Sequence, residues 1–120
     1  MEVQTQFNVN IQDGVPVVQI IGDLDHYNTP RFRVIVSELI DKGHDRVVVD
    51  MSAVGFMDSG GMSGIVLALK RLSATRGRLF LANCNPRIVR KLNISGFTTM
   101  SDALVLYASL EEAIRDAQKP

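Results

Sequence analysis

No stretch constrains this chain more than Val47–Leu69. Val47-Val48-Val49 is a run of β-branched residues without alternation, the pattern of a strand buried on both faces. Asp50, Met51 and Ser52 are expected to leave that strand, and Ala53-Val54-Gly55-Phe56-Met57 to form an apolar connection. After the break Asp58-Ser59-Gly60-Gly61 the period changes. Met62, Ile65, Val66, Leu69 and Leu72 share one face of a helix. A buried strand therefore feeds a turn that opens a helix, with a serine at the turn. Ser59 is expected at the N-cap, where a hydroxyl oxygen accepts an orphan backbone N–H. Gly60 and Gly61 are poor helix residues that leave the backbone bare around the hydroxyl.

The remaining pattern alternates strands with helices. Phe7, Val9 and Ile11 alternate with polar residues as a half-exposed edge strand does, and Asp13-Gly14 turns it into the apolar Val15–Ile21. Gly22–Tyr27 reads as a polar loop. Asn28 or Thr29 then caps a helix with Pro30 at its first helical position and the stripe Phe32, Ile35, Val36, Leu39 and Ile40, and Gly43 stops it. Gly77 is expected to end the second helix. Arg78–Ala82 is a third buried strand, and Pro86 opens a short helix carrying Ile88, Val89 and Leu92. Gly96-Phe97 turns the chain into a fourth parallel strand, Ala103–Leu106. Ser109 and Glu112 have capping-box spacing for a last helix. Strand–helix alternation implies parallel pairing with right-handed crossovers. The expected fold is α/β: one domain over residues 1–120, frayed at about 1–5 and 118–120, with a mixed four- to five-stranded sheet and about four helices.

Composition excludes several classes. Thirteen basic and thirteen acidic residues cancel, which argues against a nucleic-acid footprint. No apolar run reaches membrane-spanning length, and the polar start MEVQTQFNVN is not a signal peptide. Cys84 is alone, so neither a disulfide nor a cysteine zinc site forms within the chain, and a cytoplasmic location is expected. His26 and His44 lack metal-ligand company. No metal or cofactor is implied.

The segment VVVDMSAVGFMDSGGMSGIVLAL resembles the signature of the STAS domain, as found in bacterial anti-sigma factor antagonists. GDLDHYNTPRF and NPRIVRKLNISGF are similar to two further family segments, so the resemblance covers nearly the whole chain. In that family an Asp-Ser-x-Gly turn carries a serine that a partner kinase phosphorylates. The matching residues are Asp58, Ser59, Gly60 and Gly61. Many members have a second Ser where this chain has Gly60, which leaves Ser59 as the one candidate within the turn. The resemblance implies a non-enzymatic switch. The unmodified protein binds an anti-sigma factor serine kinase and frees a sigma factor, phosphorylation ends the contact, and a serine phosphatase restores it.

Topology places Ser59 outside the carboxyl end of a parallel strand, where functional groups gather in open sheets. The loop Gly22–Asn28 should emerge at the same edge, so Asp23, Asp25 and Asp58 are expected to form an acidic rim around it. The partner surface is then Asp23, Asp25, Asp58, Ser59, Gly60, Gly61 and Met62. A phosphate on Ser59 adds about −1.5 to −2 charges and is expected to meet free N–H groups at the helix start. The bland readings are a capping Ser59, a dipole-offsetting Asp58, solvated loop acids, core methionines at Met57 and Met62, a packed Ser63, a partly buried Cys84 and a capping Thr29; Thr29 is also a second candidate modification site. Three rivals stand beside the switch. A nucleophile elbow needs Gly-x-Ser-x-Gly and a base. A nucleotide or small-ligand module needs the absent Gly-Lys-Ser/Thr. A STAS-type scaffold or transporter-associated subunit would bind without being a substrate. A monomer or weak dimer is expected.

Overall fold

The computed structural model describes residues 4–96 and 104–120. Phe7, Val9 and Ile11 lie in β1 (Gln6–Gln12), joined to β2 (Val15–Ile21) by a two-residue turn. Asp13 and Gly14 both have positive φ, 53° and 81°, the geometry whose twist matches a hairpin. There follow α1 (Thr29–Asp41), β3 (Arg46–Ala53), α2 (Ser59–Ala74), β4 (Arg78–Ala82), α3 (Pro86–Ile94), β5 (Leu104–Tyr107) and α4 (Leu110–Ala117). The five strands form one sheet in sequence order. β1 is antiparallel to β2, and every other pair is parallel. The mixed sheet is as expected, with four helices among the described residues.

The valine run explains itself once both faces are seen. Val47 and Val49 enter the larger core with Val18, Ile20, Phe32, Ile65 and Leu72, whereas Val48 enters the second core with Val15, Val17, Phe80 and Ala113. All three are fully buried, each contributing about 1.5–3 kcal/mol. α1 and α2 pack against each other over the first face, and α4 crosses β3, β4 and β5 on the second. No helix among the described residues is long and apolar enough to cross a membrane.

Several expectations shift. β3 does not end near Asp50 but runs to Ala53, because its pairing with β2 slips between Gln19 and Ile21 and resumes at Ile21–Ala53. Asp50 is buried there, its carboxylate accepting the Ser52 N–H at 3.1 Å. α2 stops at Ala74, and the left-handed position after it belongs to Arg76 (φ 60°) rather than Gly77. Gly77 answers a close approach instead: a Cβ there would sit 2.2 Å from the Asp45 carbonyl oxygen. The last strand is Leu104–Tyr107, while Phe97 and Ala103 of the expected turn and strand lie outside the described residues. The Thr5 hydroxyl donates to the Asp23 carbonyl at 2.6 Å, and Gln118 Nε2 donates to the Asp13 carbonyl at 3.1 Å. Residues 1–3 lie outside the described part.

Candidate functional site: the serine turn

The loops that leave the carboxyl ends of β2 and β3 run side by side and prolong the ladder. Gly22 N–H donates to Ala53 O at 3.1 Å, Leu24 N–H to Phe56 O at 3.0 Å, and Asp58 N–H to Leu24 O at 3.3 Å. Leu24 and Met57 are fully buried at this seam. The segment read as a polar loop is therefore nailed down by one leucine. From the far side Asn85 caps α3 with its Oδ1 and donates through Nδ2 to Val54 O and Gly55 O, both at 3.1 Å. Lys91 donates from Nζ to Met57 O and lies 4.5 Å from the centre of the Phe56 ring.

Asp58, not Ser59, is the N-cap of α2. Its Oδ1 accepts the Gly61 N–H at 2.8 Å and its Oδ2 the His26 N–H at 3.3 Å. The carboxylate gives each of two donors, on two segments, an oxygen of its own, where a hydroxyl has only one oxygen to place. The Gly61 hydrogen bond holds the Asp58 carboxyl below the usual carboxylate range, with the His26 and Gly60 N–H groups adding to it against the effect of burial. Ser59 is displaced to the first helical residue. Its side chain is exposed and makes no hydrogen bond among the described residues. The hydroxyl is thus reachable and uncommitted.

The two glycines serve packing rather than a bare backbone. A Cβ on Gly60 would lie 2.3 Å from His26 Cβ, and one on Gly61 would lie 2.2 Å from the Leu24 carbonyl oxygen. The first turn of α2 presses directly on the Gly22–Asn28 loop. A serine at position 60 has no room with His26 where it is.

The acidic rim is only partly assembled. Asp23 is exposed beside Gly55, 3.8 Å from where a Cβ would stand. Asp25 is half-buried and turned to its own loop, its Oδ1 accepting from Tyr27 N–H at 2.9 Å and Asn28 N–H at 3.0 Å. Lys91 brings a cation to the same connection. At α1 one of the two expected N-cap positions holds, and Pro30 falls second in the helix rather than first. Asn28 holds the N-cap position, but its Oδ1 accepts from Asp25 N–H at 3.0 Å instead of capping the helix. Thr29 is buried, with its hydroxyl pressed towards Gly64 and unpartnered among the described residues. The second candidate hydroxyl is therefore not presented at the surface.

Met57 fills the core as expected, while Met62 is half-buried at its margin, its sulfur accepting from the Ser95 hydroxyl at 3.4 Å. Ser63, expected to pack, is exposed. The chain pattern did not reveal which apolar side chains lie open: Tyr27 is 85% exposed, Phe56 52% and Ile94, at the end of α3, 79%. Lone exposed aromatics carry no sequence signal of their own. His26 sits beside the turn but meets Asp58 through its backbone, and its ring packs edge-on against Tyr27 at 4.4 Å. No hydrogen bond joins Ser59 to His26 among the described residues. Nor does any group of three His, Cys, Asp or Glu among them suit a metal ion.

Comparison with known proteins places this geometry. The family model described as "STAS domain" matches residues 6–113. The anti-sigma-B factor antagonist of Staphylococcus aureus is 30% identical over 93 residues, spanning 74% of this chain and 86% of that protein. The anti-sigma F factor antagonist of Paenibacillus polymyxa is 28% identical over 92 residues, spanning 76% of this chain and 79% of that one. The Bacillus cell fate determinant SpoIIAA, solved in its phosphorylated form, superposes with a TM-score of 0.74 at 25% identity, over 94% of this chain and all of that one. The chain belongs to the STAS domain family, in company with its anti-sigma factor antagonists.

Proposed function

We propose that this protein is an anti-sigma factor antagonist switched by phosphorylation at Ser59. The observation that carries the reading is the Ser59 hydroxyl itself. Among the described residues it is exposed and makes no hydrogen bond, and two bonded loops hold the turn that carries it. In the unmodified form this face docks on an anti-sigma factor with serine-kinase activity and frees the sigma factor. The kinase transfers phosphate to Ser59, the added charge ends the contact, and a serine phosphatase restores it. Asp58, Gly60 and Gly61 shape the turn, Met62 borders it, and Asp23 is the rim acid left free to meet a partner. The work is done by a surface and a modification, without catalysis by this chain.

Phosphate pressed against apolar side chains meets desolvation and, next to Asp58, like-charge repulsion. A loss of about 3 kcal/mol weakens binding by more than a hundredfold. The test is calorimetric titration of the cognate anti-sigma factor with the wild type, Ser59→Ala and Ser59→Asp. Ser59→Ala should bind like the wild type and accept no phosphate from ATP and kinase. Ser59→Asp should fold and bind at least a hundredfold more weakly. Equal affinities for the two variants would sink the switch.

A further inference from the structure

β1 is an edge strand without the features that usually keep such edges apart. Gln6-Phe7-Asn8-Val9-Asn10-Ile11-Gln12 contains no charge, no proline and no glycine, and its pairing with β2 runs without a bulge. Val9 is 44% exposed and Ile11 53%. The strand is also a palindrome in character about Val9. Asn8 mirrors Asn10, Phe7 mirrors Ile11, and Gln6 mirrors Gln12.

The backbone has the same centre. The two-residue turn makes Gln12 and Val15 a hydrogen-bonded pair, so Gln6, Asn8, Asn10 and Gln12 direct their N–H and C=O groups to β2. Phe7, Val9 and Ile11 therefore point theirs outward, at the open edge of the sheet.

We propose that β1 is a homodimer interface, in which a second copy of this chain pairs antiparallel to it about a two-fold axis at Val9. An isologous contact requires a self-complementary patch, and this strand is one. Val9 meets the partner's Val9, Phe7 meets the partner's Ile11, and about six inter-strand hydrogen bonds close the edge. The amide side chains of Asn8 and Gln6 meet their counterparts at 10 and 12 on the other face. No like charges oppose one another within the strand. The sheet continues through both copies, and because the strands reverse across the axis, the two Ser59 turns lie at opposite ends of it. Both docking faces stay open, so the dimer is bivalent whether or not Ser59 is the switch.

Sedimentation equilibrium on the intact chain, from micromolar to about 1 mM, reads this directly. The wild type should show a reversible monomer–dimer equilibrium within that range. Val9→Lys puts two ammonium groups opposite each other on a side chain already exposed in the single copy. It should raise the dimer dissociation constant about a hundredfold or more while the circular dichroism and melting curve hold. Val9→Thr, uncharged and β-forming, should remain dimeric. A wild type that stays monomeric to about 1 mM would overturn the proposal. So would a dimer indifferent to Val9→Lys, which would place the contact elsewhere, for instance on the groove between α1 and α2 flanked by Val34 and Leu67.

Discussion

Gly61→Ala sets two effects of opposite sign against each other. Helix propensity favours alanine by about 1 kcal/mol in a helix interior. The structure opposes it. The new Cβ would stand 2.2 Å from the Leu24 carbonyl oxygen, 2.8 Å from the Leu24 carbonyl carbon and 2.8 Å from Met57 Cγ. The neighbour is backbone, so no side chain can swing away, and Leu24 must retreat by roughly an ångström to reach ordinary contact. That retreat pulls on two hydrogen bonds, Leu24 N–H to Phe56 O at 3.0 Å and Asp58 N–H to Leu24 O at 3.3 Å. Overpacking costs about 1–3 kcal/mol and the weakened hydrogen bonding about 1 kcal/mol more. The net expectation is a loss of about 2 kcal/mol, equivalent to a fall in melting temperature of roughly 7 °C for a chain of this size. Urea unfolding followed by circular dichroism measures it, with Ser63→Ala as the control. Ser63 is exposed two residues further along the same helix, and its replacement should be neutral or stabilising by about 0.5 kcal/mol. A Gly61→Ala protein as stable as the wild type would falsify the claim that the Gly22–Asn28 loop is clamped to the first turn of α2.

Asp58→Ala removes the cap of α2 and should lower stability by about 1 kcal/mol at pH 7. Because the folded state holds this carboxyl below its ordinary value of 3.8, the contribution is full above that pH and fades as the pH falls through the lowered value. The difference between wild type and Asp58→Ala should therefore shrink in acid melts below about pH 4, and a gap that stays constant there would contradict the assignment. Burial pushes the Cys84 thiol up to about 11, so native protein at pH 8 should alkylate with iodoacetamide far more slowly than the same protein in urea. Equal rates in the two states would show the thiol to be open.

The legible parts of this chain were those fixed by contacts close in sequence. The unalternating Val47–Val49 run, the helical period from Met62 and the Asp13-Gly14 turn each encode their own outcome, and together they leave little choice but a mixed α/β sheet. The errors came from partners distant in sequence. Asp58 and Ser59 are both good caps. What decides between them is the His26 N–H, which a second carboxylate oxygen reaches from across a loop. Gly60, Gly61 and Gly77 read as breakers or bare backbone, yet each is required because another segment passes too near for a Cβ. The polar residues that end β3 on paper, Asp50 and Ser52, stay in the strand because its pairing with β2, far away in the chain, resumes at Ile21–Ala53. Lys91 and Asn85, which hold the connection under the serine turn, carry no local mark beyond the Asn-Pro start of α3.

The shift of the cap by one residue changes what a phosphate on Ser59 can do. With Ser59 as the cap, its phosphate would occupy the free N–H groups of the first turn and strengthen the helix. With Asp58 as the cap, the Gly61, Gly60 and His26 N–H groups already face a carboxylate. An anion on residue 59 then keeps only the helix dipole, about 0.3–1 kcal/mol, offset by repulsion from its neighbour. Ser59→Asp should accordingly leave the unfolding free energy within about 0.5 kcal/mol of the wild type, and the small change should move with salt as surface charges do. In an Asp58→Ala background the N–H groups are released, and Ser59→Asp should become stabilising by about 1 kcal/mol. A double-mutant cycle among the four proteins isolates this coupling. Were Ser59→Asp to stabilise both backgrounds alike, the first-turn donors would have to be free already. Modification would then act by tightening the helix rather than by changing only the charge that a partner meets.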